Sequence, residues 1–282
     1  MIAVVDYQKG NLKSVERSLI AAGGEALITA DASEIAKADA IVLPGVGAFA
    51  DAAATMCELG QMEAIRDRVR AGVPFLGICL GEHLMFEHGA EGAPEGNPAC
   101  GLGLLPGTVV AMPRCDAQGK AFKVPHVGWN TIEMPACNGG AAVPPCGEGG
   151  GNAVLSSGGA GGGAARSSAA KRGLFEHGAF PGSAPQVGSE LAFPDSILQP
   201  GSDLAFACPL FNGIAPGEYF YFTHSYIAPT GSHTIAETTH SVRFASAVQF
   251  GERAFGVQFH PEKSSDAGAR VLANFVAIAA RG

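Results

Sequence analysis

What the sequence lacks already excludes several classes of protein. No apolar run reaches the roughly 20 residues that a helix needs to span a bilayer. The apolar stretch at Met1–Asp6 has no basic segment before it, so we expect a first strand rather than a signal peptide. The 18 Lys and Arg residues against 26 Asp and Glu give a net charge of −8. We therefore expect no membrane insertion and no nucleic-acid binding.

The sequence also lacks the usual signatures of disulfides, metals and nucleotide cofactors. Its seven cysteines are an odd number without a Cys-x-x-Cys pair, which is typical of a reduced protein in the cytoplasm. Neither a G-x-G-x-x-G motif nor a P-loop follows a predicted strand. Four histidines show no metal-ligand spacing with another Cys or His: His88, His177, His233 and His240. We expect a cytoplasmic protein with no metal and no cofactor.

Strands that alternate with helices in the first third of the chain predict an α/β fold. Apolar strands are predicted at Ile2–Val5, Ala40–Leu43 and Val73–Ile78, and helices at Leu12–Ala22, Phe49–Leu59 and Met62–Ala71. The second half has four strand-like runs, Glu218–Ser225, Thr234–Thr239, Val242–Phe250 and Ala254–Phe259, before a final helix. The pattern indicates a three-layer, flavodoxin-like fold: a mostly parallel central sheet with helices on both faces and antiparallel additions.

One segment does not fit this pattern. Roughly a third of the residues in Asn138–Gly173 are glycine, which is far above the usual few per cent. Such a segment cannot bury enough apolar surface to offset its chain entropy. We therefore predict a single domain over residues 1–282, interrupted at about 138–207 by a surface insertion that leaves catalysis intact.

One cysteine differs from the others because a strand ends at it and a helical pattern starts right after it. Cys79 follows Val73–Ile78 and is flanked by Gly77 and Gly81, where side chains would crowd a sharp turn. Such a turn exposes the thiol, and the N-terminus of the helix stabilises the thiolate. We predict that Cys79 is a nucleophile and that the backbone N–H of Leu80 points at a developing oxyanion.

A second strand, far along the chain, ends in a histidine and a carboxylate. His260 and Glu262 follow Ala254–Phe259, and Pro261 between them stiffens the segment. A nucleophile, a base and an orienting acid are the three parts of an acyl-transfer site. Because open α/β sheets hold their chemistry at the carboxyl ends of strands, we predict that these side chains meet Cys79 there.

A glycine-containing loop follows the predicted strand Ala40–Leu43. Its sequence is Pro44-Gly45-Val46-Gly47, and a loop of this kind can present backbone N–H groups to an anion. We predict that the amides of Val46 and Gly47 supply the second oxyanion donor.

These motifs resemble those of the class I, triad-type glutamine amidotransferases. The resemblance is carried by Gly77–Gly81 and Gly256–Ser264, and it covers residues 1–135 and about 209–282. Five further segments are similar to those of the glutaminase subunits of imidazole glycerol phosphate synthases: Asp6–Leu12, Leu43–Phe49, Gly101–Gly107, Lys123–Asn130 and Tyr221–Tyr226. Of these, Lys123–Asn130 is the most specific to that subfamily.

The resemblance implies that glutamine is hydrolysed to glutamate and ammonia through a thioester on Cys79. Ammonia would pass to a separate cyclase subunit, a (β/α)8 barrel that makes imidazole glycerol phosphate and aminoimidazole carboxamide ribotide in histidine biosynthesis. The two subunits would form a heterodimer, and the glutaminase would be nearly idle until the partner is bound and loaded with its ligand. A peptide of the Pro-Gly-Val-Gly loop would have to reorient to complete the oxyanion hole.

The resemblance also implies two groups of binding residues. L-glutamine would contact Gly45, His83, Thr223, His224 and Ser225. The interface with the cyclase would contain Asn11, Trp129 and Lys263.

The sequence departs from the family pattern directly after the nucleophile. Typical members continue as Cys-Leu-Gly-Met-Gln, whereas this chain has Glu82 and His83 at the last two of these positions. His83 replaces a glutamine that helps to position the substrate. We expect Glu82 to face away from the site and to complement the N-terminus of the helix.

Two other functions stay open on the sequence. A glutaminase of the same type could serve another acceptor, in anthranilate, aminodeoxychorismate or pyridoxal phosphate synthesis, although Lys123–Asn130 argues against these. The replacement at His83 is also compatible with a catalytically weakened subunit that acts mainly as a binding partner.

Overall fold

Strands and helices alternate in the N-terminal part of the chain, up to His83. The structure is a computed structural model that describes residues 1–135, 206 and 208–281, all of which belong to one compact unit. The elements are β1 (Ile2–Val5), α1 (Leu12–Ala21), β2 (Ala26–Thr29), α2 (Ala32–Ile35), β3 (Ala40–Gly45), α3 (Phe49–Glu58), α4 (Gln61–Arg70), β4 (Phe75–Cys79) and α5 (Leu80–His83).

Strands predominate after α5, and a single long helix closes the chain. The strands are β5 (Phe86–Gly89), β6 (Ala99–Cys100), β7 (Leu105–Ala111), β8 (His126–Thr131), β9 (Tyr219–His224), β10 (Tyr226–Ile227), β11 (Thr234–Thr239), β12 (Arg243–Phe250) and β13 (Ala254–Val257). The closing helix is α6 (Ser265–Ala279), and 3-10 turns occur at Pro209–Phe211 and Pro261–Lys263.

The central sheet has seven strands in the spatial order β11-β12-β13-β4-β3-β1-β2. The strands from β13 to β2 run parallel, while β12 and β11 are added antiparallel at one edge. This confirms the predicted mostly parallel sheet with antiparallel additions. The other described strands form a four-stranded sheet, β10-β7-β5-β6, and the antiparallel pair β8–β9.

Helices cover both faces of the central sheet because its inner strands are apolar on both sides. In β1, Ile2 and Val4 belong to one core cluster, together with residues of α1 and α6. Ala3 and Val5 belong to a second cluster, together with residues of α3 and α4. Continuous burial of all four residues is typical of a parallel strand enclosed between two helical layers.

The order of the strands brings distant segments of the chain together at one end of the sheet. β4 ends at Cys79, which is paired with Gly45 at the end of β3. On its other side β4 pairs with β13, which ends at Val257, shortly before His260. The backbone N–H of His260 donates to the carbonyl of Tyr221, so this segment is also tied to β9. The carboxyl ends of three parallel strands therefore converge at one place.

The predicted insertion at about 138–207 lies outside the described residues, apart from Phe206. Phe206 is buried, and its ring lies 4.9 Å from that of Phe211 between centroids. The organisation as one domain with an insertion stays a prediction. In the described part of the chain, every helix is too short or too polar to cross a membrane.

Candidate active site

The turn at Cys79 has a strained backbone that only its neighbouring glycines permit. Cys79 lies at φ 55° and ψ −108°, a region that residues with a side chain rarely adopt. A Cβ atom at Gly81 would collide with the carbonyl oxygen of Leu43, and one at Gly77 would collide with that of Gly81. The predicted glycine bracket therefore has a direct steric cause. The helix that follows, α5, is only one turn long.

The segment after β13 holds a histidine and a carboxylate in a fixed relation. His260 Nδ1 lies 2.9 Å from Oε1 of Glu262, and both side chains are buried. The hydroxyl of Ser264 donates to the carbonyl of His260 at 2.6 Å and accepts the N–H of Tyr221 at 3.0 Å. Ser264 thereby fixes the backbone of the histidine, a role that the sequence analysis did not assign.

The nitrogen of His260 that Glu262 leaves free belongs to the same cleft as the nucleophile. Since Nδ1 is bonded to Glu262, Nε2 is the nitrogen left for Cys79, and it makes no hydrogen bond to any of the described residues in this conformation. Burial lowers the pKa of His260, but the Cys79 thiol and the Glu262 carboxylate outweigh burial and raise the pKa to about 9. The imidazole therefore holds a proton readily at neutral pH, which suits both a thiolate partner and a proton donor.

A cleft of about 440 Å³ opens above Cys79 and contains most of the predicted site residues. Of those, its lining includes Val46, Gly47, Cys79, Leu80, His83, Thr223, His224, Ser225, His260 and Lys263. The other lining residues are Ala48, Glu91, Pro125 and Tyr226. Gly45 is not among them, because it lies below the cleft in β3, packed against Leu80 and Tyr7. Asn11 and Trp129 are exposed outside the cleft.

The two predicted oxyanion donors differ in whether their backbone N–H is already hydrogen-bonded. Leu80 is the first residue of α5, where a backbone N–H has no acceptor within the helix. The N–H of Val46 instead donates to the hydroxyl of Tyr7 at 3.1 Å. Val46 can therefore serve an oxyanion only if that hydrogen bond breaks. The side chain of Val46 is exposed and Gly47 has a φ of 100°, so the neighbouring peptide is not confined by packing.

A chain of hydrogen bonds fixes the floor of the cleft at β9. His224 Nδ1 donates to the carbonyl of Tyr226 at 2.8 Å, so its Nε2 can accept from Nδ1 of His126 at 3.0 Å. His126 Nε2 in turn accepts from the amide of Asn130 at 3.3 Å. Burial lowers the pKa of His126 to about 4 and that of His224 well below its usual range, so both rings stay neutral. Both ring nitrogens of His224 are engaged in this chain, which fits the expectation that His224 sets the shape of β9.

Glu91 is a site residue that the sequence analysis missed. It lines the cleft, whereas Glu82 and Glu262 are not among the lining residues, so Glu91 supplies the acidic side chain of the cleft within the described residues. Burial raises the pKa of Glu91, a backbone hydrogen bond from Phe49 lowers it, and Asp51 raises it further. The residue lies in the loop beyond β5, and no local sequence pattern distinguishes it from the nearby carboxylates of Glu87 and Glu95.

The expectation that Glu82 complements the N-terminus of the helix is wrong. The side chain does not lie at the surface but is fully buried, with its Cγ packed against Gly256 of β13. Neither carboxyl oxygen has a hydrogen-bond partner among the residues that the structure describes. Burial, and secondarily the nearby Cys79 sulfur, raise the pKa of Glu82 well above its ordinary value. Both effects favour the neutral form of the carboxyl, which avoids a buried unpaired charge.

No metal site emerges from the described ranges, 1–135, 206 and 208–281. Within them, no group of three or more His, Cys, Asp or Glu side chains is arranged to hold an ion.

The burial of Glu82 generates a prediction for the pH dependence of stability. Because the pKa of Glu82 is higher in the folded than in the unfolded state, the wild type loses stability as pH rises from the unfolded value of about 4.5 towards the folded one. Glu82→Gln removes this ionisation. Its free energy of unfolding relative to wild type should therefore rise with pH, by up to about 1.4 kcal/mol per unit.

Urea unfolding between about pH 5 and pH 8 measures this difference. The control is Glu252→Gln, which removes a carboxyl from the exposed turn between β12 and β13 and should follow the wild-type curve much more closely. Parallel pH curves for Glu82→Gln and wild type would show that Glu82 is ionised in the folded protein, contrary to this account.

Comparison with known proteins places the chain among glutamine amidotransferases. The sequence model of the family described as glutamine amidotransferase class-I matches residues 3–137 and 196–279. The imidazole glycerol phosphate synthase subunit HisH of Moorella thermoacetica is 35% identical over 276 residues, which cover 97% of this chain and 93% of that protein. The HisH subunit of Rhodopirellula baltica is 34% identical over 277 residues, with 98% and 96% covered.

Solved structures show the same fold at low sequence identity. A crystal structure described as a glutamine amidotransferase superimposes with a TM-score of 0.56 at 15% identity, covering 99% of this chain and all of that one. The structure of PurLQS from Thermotoga maritima gives a TM-score of 0.54 at 14% identity, covering 98% and 97%. These likenesses support the α/β fold described above.

Proposed function

The chain belongs to the class I glutamine amidotransferase family, and on this premise we propose that it is the glutaminase subunit of an imidazole glycerol phosphate synthase. In this proposal it hydrolyses L-glutamine through a thioester on Cys79 and passes the ammonia to a cyclase subunit in histidine biosynthesis. The observation that carries the proposal is the meeting of Cys79 with the hydrogen-bonded pair His260–Glu262 at one cleft.

The first half-reaction would transfer the glutamyl group to sulfur. Cys79 gives its proton to Nε2 of His260, and the thiolate attacks the side-chain amide carbon of glutamine. His260 then donates that proton to the amide nitrogen, which leaves as ammonia while the thioester forms. Glu262 holds the imidazole through Nδ1 at 2.9 Å and stabilises its charged form, as the raised pKa of His260 indicates.

The second half-reaction would release glutamate. His260, now neutral, takes a proton from water, and the hydroxide attacks the thioester carbon. The carbon–sulfur bond breaks, Cys79 leaves as a thiolate, and it recovers the proton from His260. The sum is the conversion of glutamine and water into glutamate and ammonia, with the enzyme unchanged.

The oxyanion of both tetrahedral intermediates would be bound by backbone amides. The N–H of Leu80, next to the nucleophile, is one donor, and the peptide at Val46 and Gly47 is the second. In the described conformation the Val46 N–H is bonded to Tyr7, so the second donor is withheld. This fits a subunit that works slowly alone and faster once a partner shifts the loop.

The amino-acid end of glutamine carries two charges that the cleft has to match. Glu91 is placed to receive the α-ammonium group, since its carboxylate has lost part of its hydration to burial. The backbone of Thr223 and Ser225 at the end of β9 lies along the same wall and offers hydrogen bonds to the remaining polar atoms. Specificity for glutamine would then come from fixed polar groups at both ends of the substrate.

The cyclase would dock on the β8–β9 pair, whose outer face is apolar and exposed. Val127 and Trp129 on β8 are 55% and 51% exposed, and Tyr219 on β9 is 57% exposed. Trp129 meets the ring of Tyr221 edge-on, and the ammonium of Lys263 lies 5.9 Å from the centre of that ring. Exposed apolar patches of this kind mark interaction surfaces.

The position of this face also suits the transfer of ammonia. Lys263 lines the cleft and contacts Tyr221 of the exposed face, so the patch begins where the cleft ends. A (β/α)8 barrel seated there, in a heterodimer, would receive ammonia directly from the site. Asn11, exposed at the start of α1, would belong to the same interface.

The acceptor is the part of the function that the sequence left open. Because the relatives described above are HisH subunits, histidine biosynthesis is favoured over anthranilate, aminodeoxychorismate and pyridoxal phosphate synthesis. A subunit weakened by His83 is not favoured, since Cys79 and His260 line one cleft and His260 is hydrogen-bonded to Glu262.

A cytoplasmic location is part of the same proposal. Five described cysteines are free, and three of them are exposed: Cys57, Cys100 and Cys115. Exposed free thiols are suited to a reducing compartment.

The identity of the nucleophile can be tested with the cyclase subunit and its ligand present. Cys79→Ala should reduce glutamate formation by at least about 10³-fold, because the variant lacks the sulfur on which the thioester forms. Cys57→Ala, which removes an exposed thiol on α3, should retain activity. Wild type without the cyclase should produce far less glutamate than the complex. Sustained turnover by Cys79→Ala would exclude the proposed mechanism.

The role of Glu91 can be tested by removing its charge. Glu91→Gln should raise KM for glutamine about 10–100-fold, since a hydrogen bond to a charged group contributes about 1.5–3 kcal/mol. Steady-state kinetics of the complex provide the measurement, and Glu95→Gln, an exposed carboxyl on the same loop, is the control. An unaltered KM would show that the α-ammonium group binds elsewhere.

The docking face can be tested by binding. Trp129→Ala should raise Kd for the cyclase about 30-fold or more, which is the usual effect of removing a central tryptophan. Isothermal calorimetry measures this, with Leu27→Ala, an exposed residue on edge strand β2, as the control. If Leu27→Ala weakened binding and Trp129→Ala did not, the partner would dock at a different face.

A further inference from the structure

A buried amide outside the triad contacts the sulfur of Cys79. Gln258 follows β13 directly and is fully buried, and its backbone N–H donates to the carbonyl of Ser246 on β12. Its side-chain Nε2 lies 3.7 Å from Sγ of Cys79, within hydrogen-bond range for sulfur. Its Oε1 lies 2.7 Å from Nε2 of His83. Three buried side chains thus form one connected chain that ends on the reacting atom.

The direction of these hydrogen bonds follows from the chemistry of the groups. The oxygen of Gln258 only accepts, so Nε2 of His83 must carry the proton that joins them. Burial lowers the pKa of His83 to about 4, so the ring is neutral and has this one proton to give. With its oxygen engaged by His83, the amide of Gln258 turns its NH₂ group towards Cys79.

We propose that Gln258 is a hydrogen-bond donor that stabilises the thiolate of Cys79, and that His83 is the positioning residue that orients it. The inference rests on the proposed function in one respect, the assignment of Cys79 as the nucleophile. An N–H donated to a neutral thiol is weak, whereas one donated to a thiolate is charge-assisted and about twice as strong. Gln258 therefore favours the charged form of the sulfur.

This role differs from that of His260. His260 exchanges a proton with the sulfur, while the amide of Gln258 does not titrate and donates at every pH. The Gln258 amide would stabilise the thiolate twice in each turnover: when Cys79 loses its proton, and when the thiolate leaves the thioester. His83 acts only through Gln258, which gives the residue a role in this chain that needs no contact with glutamine.

The decisive experiment measures how the reactivity of Cys79 depends on pH, without glutamine. The full chain is treated with iodoacetamide at a series of pH values, and the peptide containing Cys79 is quantified by mass spectrometry, because exposed thiols also react. Gln258→Met removes the amide N–H that donates to Cys79 and keeps a side chain of similar size. The pH midpoint of Cys79 alkylation should therefore rise by about 0.5–1 unit, which corresponds to the loss of one hydrogen bond. Gln61→Met, which removes a buried amide elsewhere, is the matched control and should leave the midpoint unchanged.

An unchanged or lower midpoint in Gln258→Met would overturn the proposal. A fall would mean that the amide presents its oxygen to the sulfur and favours the thiol instead. A purely structural role for Gln258 would alter stability but not move the midpoint.

Variants of His83 test the positioning role independently, and they keep the proposal testable if Gln258→Met fails to fold. His83→Leu removes the donor to Gln258 and should raise the midpoint of Cys79 alkylation. His83→Gln places an amide N–H where the imidazole Nε2 lies, so it should restore most of the wild-type value. Equal midpoints for His83→Leu and wild type would contradict the role of His83.

The proposed function and the role of Gln258 can be disproved independently of each other. Glutamate formation by Cys79→Ala would remove the proposed function and, with it, this inference. Loss of activity in Cys79→Ala, combined with an unmoved midpoint in Gln258→Met, would remove the inference alone.

Discussion

The strained backbone at Cys79 is the constraint on which the rest of the site depends. A cysteine at a φ of 55° costs about 1–3 kcal/mol, which persists only where the surrounding structure fixes it. β4 is paired on both sides, with β3 and with β13, and Gly77 and Gly81 leave room for the close approach of the backbone. The same pairing brings His260 to the sulfur. The strain and the convergence of the site therefore have one origin, the position of β4 within the sheet.

The cost of burying polar groups around this turn is offset in two ways: by hydrogen bonds and by a shift towards the neutral form. His83 and Gln258 are bonded to each other, and His224 and His126 share one chain of hydrogen bonds that satisfies both rings. Glu82 lacks such a partner among the described residues, and burial raises its pKa, which favours the neutral form. Neutrality matters for the chemistry, since a charged carboxylate one turn from Cys79 would oppose formation of the thiolate.

Much of the fold and the centre of the site could be predicted from the sequence, because both depend on local patterns. Continuous apolar runs predicted β1, β3 and β4 to within two residues, and Gly-Ile-Cys-Leu-Gly predicted a turn that only glycine permits. Short elements such as β2, α2 and β5–β8 were missed, since their burial is partial or mixed and leaves no clear period. Glu82 and Glu91 were misjudged or overlooked for a related reason: whether a carboxyl faces solvent, core or cleft depends on tertiary packing that a single sequence does not record.

The hydrogen bond between Val46 and Tyr7 shows how a small change could govern the rate of this site. One hydrogen bond makes a net contribution of about 1 kcal/mol to stability. Loss of one oxyanion donor costs about 2.7–4 kcal/mol of transition-state stabilisation. If the Val46 N–H is the second oxyanion donor, its hydrogen bond to Tyr7 is weaker than the hydrogen bond that it would donate to the oxyanion. A partner therefore needs only a modest preference for the rearranged loop to increase turnover substantially. The exposed side chain of Val46 and the left-handed backbone of Gly47 place that loop where a docked subunit can reach it.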